Sequence, residues 1–206
     1  MAGHARWIPA LLAAMVTSVA SLATGEAGSA VDPHGLDAFH ARSARAEDVV
    51  LSFRVGGGYG GFEVRELLLY GDGRAEERLF KYPWKKDQRP ETRILFTDPA
   101  RVDAVLRRVV ESGLVGLDND RLLALVQARY PTVVDLVPGV DCSSVDLAIR
   151  LFVRPSRGEP WSAVETHLRL ECLWAYARLY PDVPEACALT DLHAELVALT
   201  RAGQLQ

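Results

Sequence analysis

Two stretches of regular alternation between apolar and other residues constrain this fold most. They lie at residues 145–154 and 164–172 and flank a Pro/Gly/Ser-rich segment at 155–160. Successive side chains of a strand point to opposite faces of a sheet, so the two stretches predict a long β-hairpin with one buried face. The positions on that face are Val145, Leu147, Ile149, Leu151, Val153, Val164, Thr166, Leu168, Leu170 and Cys172.

The second half of this hairpin has one alternative. Ser162 and Glu165 match a capping box, so residues 162–179 could instead begin a helix. The regular row of charged residues between the apolar positions favours the strand.

The N-terminal half predicts a three-stranded antiparallel meander. Apolar residues alternate over 49–55, and a glycine cluster at 56–61 turns the chain into a second strand over 62–70. Gly71-Asp72-Gly73 is typical of a tight turn, because its glycines accept positive φ. A third strand follows over 74–82, and residues 83–93 are expected to form a polar loop.

Three helices are predicted. Asp98 caps the first, with Pro99 at its first position, and this helix ends near Ser112. A shorter helix spans 120–129, and a terminal helix is capped by Thr190. The terminal helix is marked by an apolar stripe of Leu189, Leu192, Leu196 and Leu199.

This order of elements predicts one α+β domain over residues 48–203. We expect a five-stranded antiparallel sheet (meander plus hairpin) with helices on one face, including a C-terminal helix, because one-sided strands must bury their apolar face. Residues 31–47 lack periodicity and predict a flexible N-terminus.

The N-terminus has the pattern of a secretory signal peptide. Arg6 precedes an uncharged apolar stretch, and small residues suit cleavage after Ala20 or Ala23, so residues 1–23 form the signal, with cleavage as late as 30 allowed. The apolar stretch is shorter than the roughly 20 residues of a membrane span. We therefore expect a secreted or periplasmic protein without membrane contact after cleavage.

The three cysteines, Cys142, Cys172 and Cys187, would then meet an oxidising compartment. Cys172 lies on the apolar strand face, and Cys187 just precedes the terminal helix that must pack there. This predicts a Cys172–Cys187 disulfide, with Cys142–Cys187 as the alternative.

Composition and motifs narrow the function classes. A net charge of −4 argues against nucleic acid as a partner. The glycine cluster matches GxGxxG but is followed by a strand, whereas a dinucleotide site needs a helix there, so no cofactor is expected. A hydrolase with Cys142 or Ser143 as nucleophile and His167 nearby, and a structural envelope protein, are the alternatives to a binding module.

Two loops are the candidate contacts with a protein partner. The glycine turn presents Gly58, Tyr59 and Gly60, and the next loop carries Tyr82 and Trp84 beside two lysines. Aromatic residues are enriched at interfaces, although a plain turn and an aromatic folded over the core are simpler interpretations. These residues make a non-catalytic binding module the first hypothesis.

The segment Gly57-Gly58-Tyr59-Gly60-Gly61-Phe62, followed by the helix at 99–112, a strand pair and a C-terminal helix, resembles the emfourin type of bacterial protease inhibitor and related exported domains. Over residues 48–202 the two share the order of strands and helices, and individual residues match only at the glycine turn. It implies that the partner is a protease.

Overall fold

A computed structural model describes residues 33–56, 63–82, 89–136 and 142–202. The predicted signal peptide therefore lies outside the described residues. The strands are β1 (Pro33–Gly35), β2 (His40–Ser43), β3 (Val49–Gly56), β4 (Val64–Tyr70), β5 (Arg74–Phe80), β6 (Glu91–Thr97), β7 (Ser144–Val153) and β8 (Ser162–Glu171). The helices are α1 (Pro99–Glu111), α2 (Asn119–Arg129), α3 (Tyr176–Leu179) and α4 (Pro184–Ala202), and a 3₁₀ turn spans Leu173–Ala175.

All the strands belong to one antiparallel sheet, in which β7 has the most neighbours. One edge of β7 pairs with β8 along its full length, from Ser144↔Glu171 to Val153↔Ser162. Its other edge is shared, because β3 pairs with residues 144–149 and β2 pairs with 152–153. Strands β4, β5 and β6 extend outward from β3 in that order, and β1 pairs with β2.

The hairpin and the meander predicted from periodicity are confirmed. Residues 162–171 form the strand, and helical structure begins only with the 3₁₀ turn after it. The outer edge of β8 is covered by the side chain of Asn119, which accepts from the Arg169 N–H (2.9 Å) and donates to the Arg169 carbonyl (2.7 Å). This pairing protects an edge that would otherwise be open to another strand.

The prediction of five strands is wrong, since the sheet has eight strands in the described part of the chain alone. Strand β6 lies within the segment assigned to a polar loop and the residues after it. Glu91 and Arg93 of β6 lie in register with Leu79 and Glu77 of β5. Charged residues therefore occupy the first two of these positions in β6, and the apolar residues Leu95 and Phe96 pack against the core only in its second half, so the alternation that marks a strand is lost.

The prediction of a flexible N-terminus over 31–47 is also wrong, because β1 and β2 lie there. Arg42 of β2 is only 2% exposed, and its Nε donates to Oδ1 of Asp103 on α1 at 2.6 Å. The same guanidinium donates to the carbonyls of Ser43 and Gly71. His34 of β1 lies 3.0 Å from the other Asp103 oxygen. The buried Arg42–Asp103 ion pair therefore holds the β1–β2 hairpin to α1, and no local sequence pattern indicates this contact.

Helices α1, α2 and α4 pack on one face of the sheet and share its core. The α1 cap is confirmed, since the Asp98 carboxylate accepts from the N–H groups of Ala100 and Arg101. Helix α4 begins at Pro184, before the predicted cap. Thr190 lies inside it, where its hydroxyl donates to carbonyls of Ala186 and Leu173. None of the described helices is long and apolar enough to cross a membrane.

We expect Asp103→Ala to lower the free energy of unfolding by about 3–5 kcal/mol, because it leaves the buried Arg42 charge without its carboxylate. The matched control is Glu195→Ala, which removes the partner of Arg108, a side chain that is 55% exposed. That loss should stay below about 1 kcal/mol. Urea unfolding measures both values, and equal losses would contradict the anchoring role of the Arg42–Asp103 pair.

Candidate functional site

The connections that carry the candidate partner-binding residues leave the sheet at the same end. Gly56, where β3 ends, is paired with Ser144, where β7 begins. Val64, where β4 begins, is paired with Phe80, where β5 ends. We call this the loop end of the sheet, and it comprises the strand termini at Gly56, Val64, Phe80, Glu91, Ser144 and Glu171.

The candidate residues divide between described and undescribed parts of the chain. Tyr82 lies two residues after the end of β5 and is 47% exposed. Gly58, Tyr59, Gly60 and Trp84 lie outside the described residues. The strand termini that flank them are described, and the end of the first connection, Val64 of β4, is paired with the origin of the second, Phe80 of β5.

The disulfide joins Cys142 to Cys172, with Cα atoms 5.0 Å apart, so the predicted Cys172–Cys187 bond is wrong. The register explains the pairing, because Ser144 lies opposite Glu171 and the two cysteines flank this last rung. Cys187 is a free, half-buried thiol near the start of α4, where its Sγ lies 3.7 Å from the Pro181 carbonyl oxygen. The bond therefore joins the start of β7 to the end of β8 at the loop end of the sheet, and it does not connect α4 to the sheet.

Cys172 also reverses the chain at the loop end. Its φ of 52° lies in the left-handed region, which costs an L-residue about 1–2 kcal/mol. Its N–H donates to the Ser143 carbonyl at 3.2 Å, and its carbonyl accepts from Ala175 at 2.8 Å. These bonds and the disulfide hold the turn that leads from β8 into residues 173–175.

A further aromatic side chain lies at the loop end, and the sequence did not assign it to the candidate partner contacts. Trp174 lies in the 3₁₀ turn directly after β8 and is 55% exposed, whereas its neighbour Tyr176 is fully buried. The Tyr176 hydroxyl donates to the Leu136 carbonyl at 2.7 Å. The sequence shows aromatic residues here, but no periodicity in this short turn separates the exposed one from the buried one.

Two titratable side chains behind the loop end have shifted pKa values. Burial lowers the pKa of His193 on α4, whose ring packs edge-on against Phe53 at 5.6 Å. Burial raises the pKa of Tyr176 well above its usual range. Both shifts favour the neutral form, so these groups contribute packing and hydrogen bonds rather than charge.

The residues considered for a nucleophilic site are not brought together. Cys142 is held in the disulfide. His167 pairs with Ala148, four residues along β7 from Ser144, which places it about 13 Å from that rung. Ser143 and His167 are thus well beyond the reach of a hydrogen bond. Within the described ranges no group of His, Cys, Asp and Glu side chains could hold a metal ion.

A charged cluster centred on the buried Glu77 lies beside the loop end, on the helix-covered face of the sheet. Glu77 is 4% exposed, and its Oε2 accepts from Nε of Arg93 at 2.5 Å. Arg93 also donates to the Thr200 carbonyl at 3.0 Å, which satisfies an acceptor in the last turn of α4. Arg65 approaches the other Glu77 oxygen at 3.6 Å. The cluster therefore joins β4, β5, β6 and α4.

No protein-family model matches the chain, and no curated protein matches it.

Removing the disulfide with Cys142→Ser should lower the free energy of unfolding by about 3–4 kcal/mol, since the bond spans 30 residues. Cys187→Ser is the matched control and should cost less than about 1 kcal/mol. Urea unfolding measures both. The unfolded, unreduced chain should titrate one thiol. A peptide map that links Cys187 to either other cysteine would contradict the pairing.

Proposed function

We propose that this protein is an exported, non-catalytic binding module that contacts another protein through the loop end of its sheet. One observation carries the proposal: the connection bearing the glycine turn ends at Val64, which is paired with Phe80, where the connection bearing Tyr82 and Trp84 begins. Both connections lie at the sheet end where a disulfide joins the chain on either side of the β7–β8 ladder. Loops held by a rigid sheet are a common way to present a binding surface.

The dimensions of the loop end suit a protein partner. Five strand spacings separate β8 from β6 in the order β8, β7, β3, β4, β5, β6. At about 4.8 Å per spacing the loop end is about 24 Å wide. A stable interface covers about 800 Å² on each partner, a patch of comparable width. Trp174 and Tyr82, both exposed, lie toward opposite sides of this strip.

The loop end is also held in place before a partner arrives. The disulfide joins the chain on either side of the β7–β8 rung, and the Ser144 hydroxyl donates to the Gly56 carbonyl at 2.7 Å, beside the origin of the glycine turn. A preordered surface loses less conformational entropy on association, which favours tight binding.

The class of partner comes from the glycine turn. The run from Gly57 to Phe62 resembles that of emfourin-type protease inhibitors, so we propose a protease as the partner. An exported protein would meet secreted proteases, and export is proposed from the signal-peptide pattern of residues 1–23.

Inhibition assays against a serine, a cysteine and a metalloprotease of the secreted kind test this proposal. We expect one class to be inhibited, and Tyr82→Ala or Trp174→Ala to weaken inhibition roughly 30-fold, as for a hot-spot side chain worth about 2 kcal/mol. Phe39→Ala is the matched control, because Phe39 is a 43% exposed aromatic beside Arg154, past the opposite end of β7.

The control variant should inhibit like the unmodified protein. Failure of all three protease classes to be inhibited would reject the protease partner. Equal weakening by Phe39→Ala would reject the loop end as the contact surface.

A further inference from the structure

A groove of about 470 Å³ separates α1 from α4 at the protein surface. Arg108 of α1 is ion-paired with Glu195 near the middle of α4. Leu114, just after α1, lines the groove together with Pro184, the first residue of α4, so the two helices run antiparallel along it. The groove follows α4 from Pro184 to Leu192, a length of about 12 Å. None of its lining residues in the described part of the chain is a strand terminus of the loop end, so the two surfaces are separate.

The groove has an apolar floor and an acidic rim. The floor is formed by the buried side chains of Val109, Leu114 and Leu192. Glu111 of α1 and Asp191 of α4 line the groove from opposite walls, and both residues are exposed. Neither carboxylate makes a hydrogen bond or an ion pair to any residue that the structure describes. Both are therefore open to a ligand that enters from solvent.

The charges across the groove are balanced at one level and unbalanced at the next. At the first level Arg108 Nη1 donates to Oε2 of Glu195 at 2.6 Å, which joins the helices without net charge. One helical turn further along both helices, Glu111 and Asp191 contribute two negative charges, and no described cation pairs with either. A cation placed between these two carboxylates would be attracted by both.

Charge and shape together select the ligand. An anion would be repelled by the rim, and a metal ion would leave the apolar floor uncovered. A lysine or arginine side chain suits both, because its methylene stem covers apolar surface while its charged head reaches the carboxylates. Ala188 also lines the groove, one turn before Asp191 on α4. An apolar side chain over Ala188 and a basic one beside Asp191 are therefore spaced like positions i and i+4 of a helix.

We propose that the groove between α1 and α4 binds a helix of a partner protein. The bound helix places a lysine or arginine between Glu111 and Asp191, and an apolar side chain one turn away over Ala188. An amphipathic helix laid into an apolar groove is a recurrent mode of protein recognition. The inference goes beyond the proposed function, because this surface is separate from the loop end and does not require a protease as the partner.

Titration of the intact protein with a synthetic helical peptide, followed by ¹H–¹⁵N NMR, tests the groove. The probe is an acetylated alanine–glutamine peptide of about sixteen residues, long enough to populate a helix in water, with leucine at its seventh position and lysine at its eleventh. We expect saturable shifts in the second half of α1 and the first half of α4, with a Kd of about 100 µM. A control peptide of the same composition with lysine at the ninth position, on another face of the helix, should bind at least about five-fold more weakly.

Substitutions in the protein assign the two parts of the groove. Glu111→Gln and Asp191→Asn each remove one charge and should weaken binding of the first peptide about two- to five-fold, as for an exposed ion pair. Ala188→Trp fills the apolar part and should weaken it by at least about five-fold. The matched control is Glu159→Gln, because Glu159 is an exposed carboxylate in the β7–β8 connection. Its Kd should be unchanged.

Several results would overturn the proposal: no saturable shift, shifts confined to the loop end, equal binding of the two peptides, or equal weakening by Glu159→Gln. Groove shifts that depend on protein concentration without any peptide would assign the groove to a second copy of this chain and reject the partner helix. Probe binding in the groove by a protein that inhibits no protease would support the groove and reject only the protease partner.

Discussion

The backbone pairing of β7 on both of its edges is the constraint on which the rest of the structure depends. Strand β8 occupies one edge, and β3 and β2 follow each other along the other. A one-residue slip of β7 would turn Val145, Leu147 and Ile149 away from the helices, so the buried face fixes the register. The register of β7 sets the position of β3 in the sheet. Because β4, β5 and β6 pair in succession outward from β3, it also sets where those strands begin and end.

The two ends of the sheet are held by different chemistry. At the end that carries the β4–β5 turn, Arg42 is buried against Asp103 and the Gly71 carbonyl. The backbone approaches closely there, and Gly73, with φ of 89°, lies against Pro99 at the start of α1. At the loop end a covalent bond between Cys142 and Cys172 takes this role. The turn at residues 71–73 thus contributes to stability through its own contacts, whereas the loop end is stabilised by the disulfide.

Periodicity and capping predicted the parts of the fold in which apolar residues lie against the core. Leu168 and Leu170 are buried as their spacing indicates, and Asp98 caps α1. The failures share a cause: polar side chains in buried positions. Arg42 in β2 and Glu77 beside β6 satisfy their charges through partners 61 and 16 residues away, and no local pattern shows such partners.

The candidate site was predictable only in outline. The glycine cluster and Tyr82 stand out in the sequence, but their common origin at one sheet end depends on the Val64↔Phe80 pairing. The exposure of Trp174 requires the three-dimensional arrangement, because nothing in the local sequence separates it from the buried Tyr176. The predicted Cys172–Cys187 bond was wrong because it was inferred from the packing of the terminal helix on the strand face. The register of the hairpin instead brings Cys142 beside Cys172.

Amide hydrogen exchange of the unliganded protein, with the disulfide intact and reduced, tests most directly whether this bond holds the loop end. The account predicts that β7 exchanges most slowly. Reduction should speed exchange at residues 142–147 and 168–172 and leave 150–153 and 162–165 unchanged. Equal acceleration at both ends of the β7–β8 ladder, or no acceleration at either end, would contradict it.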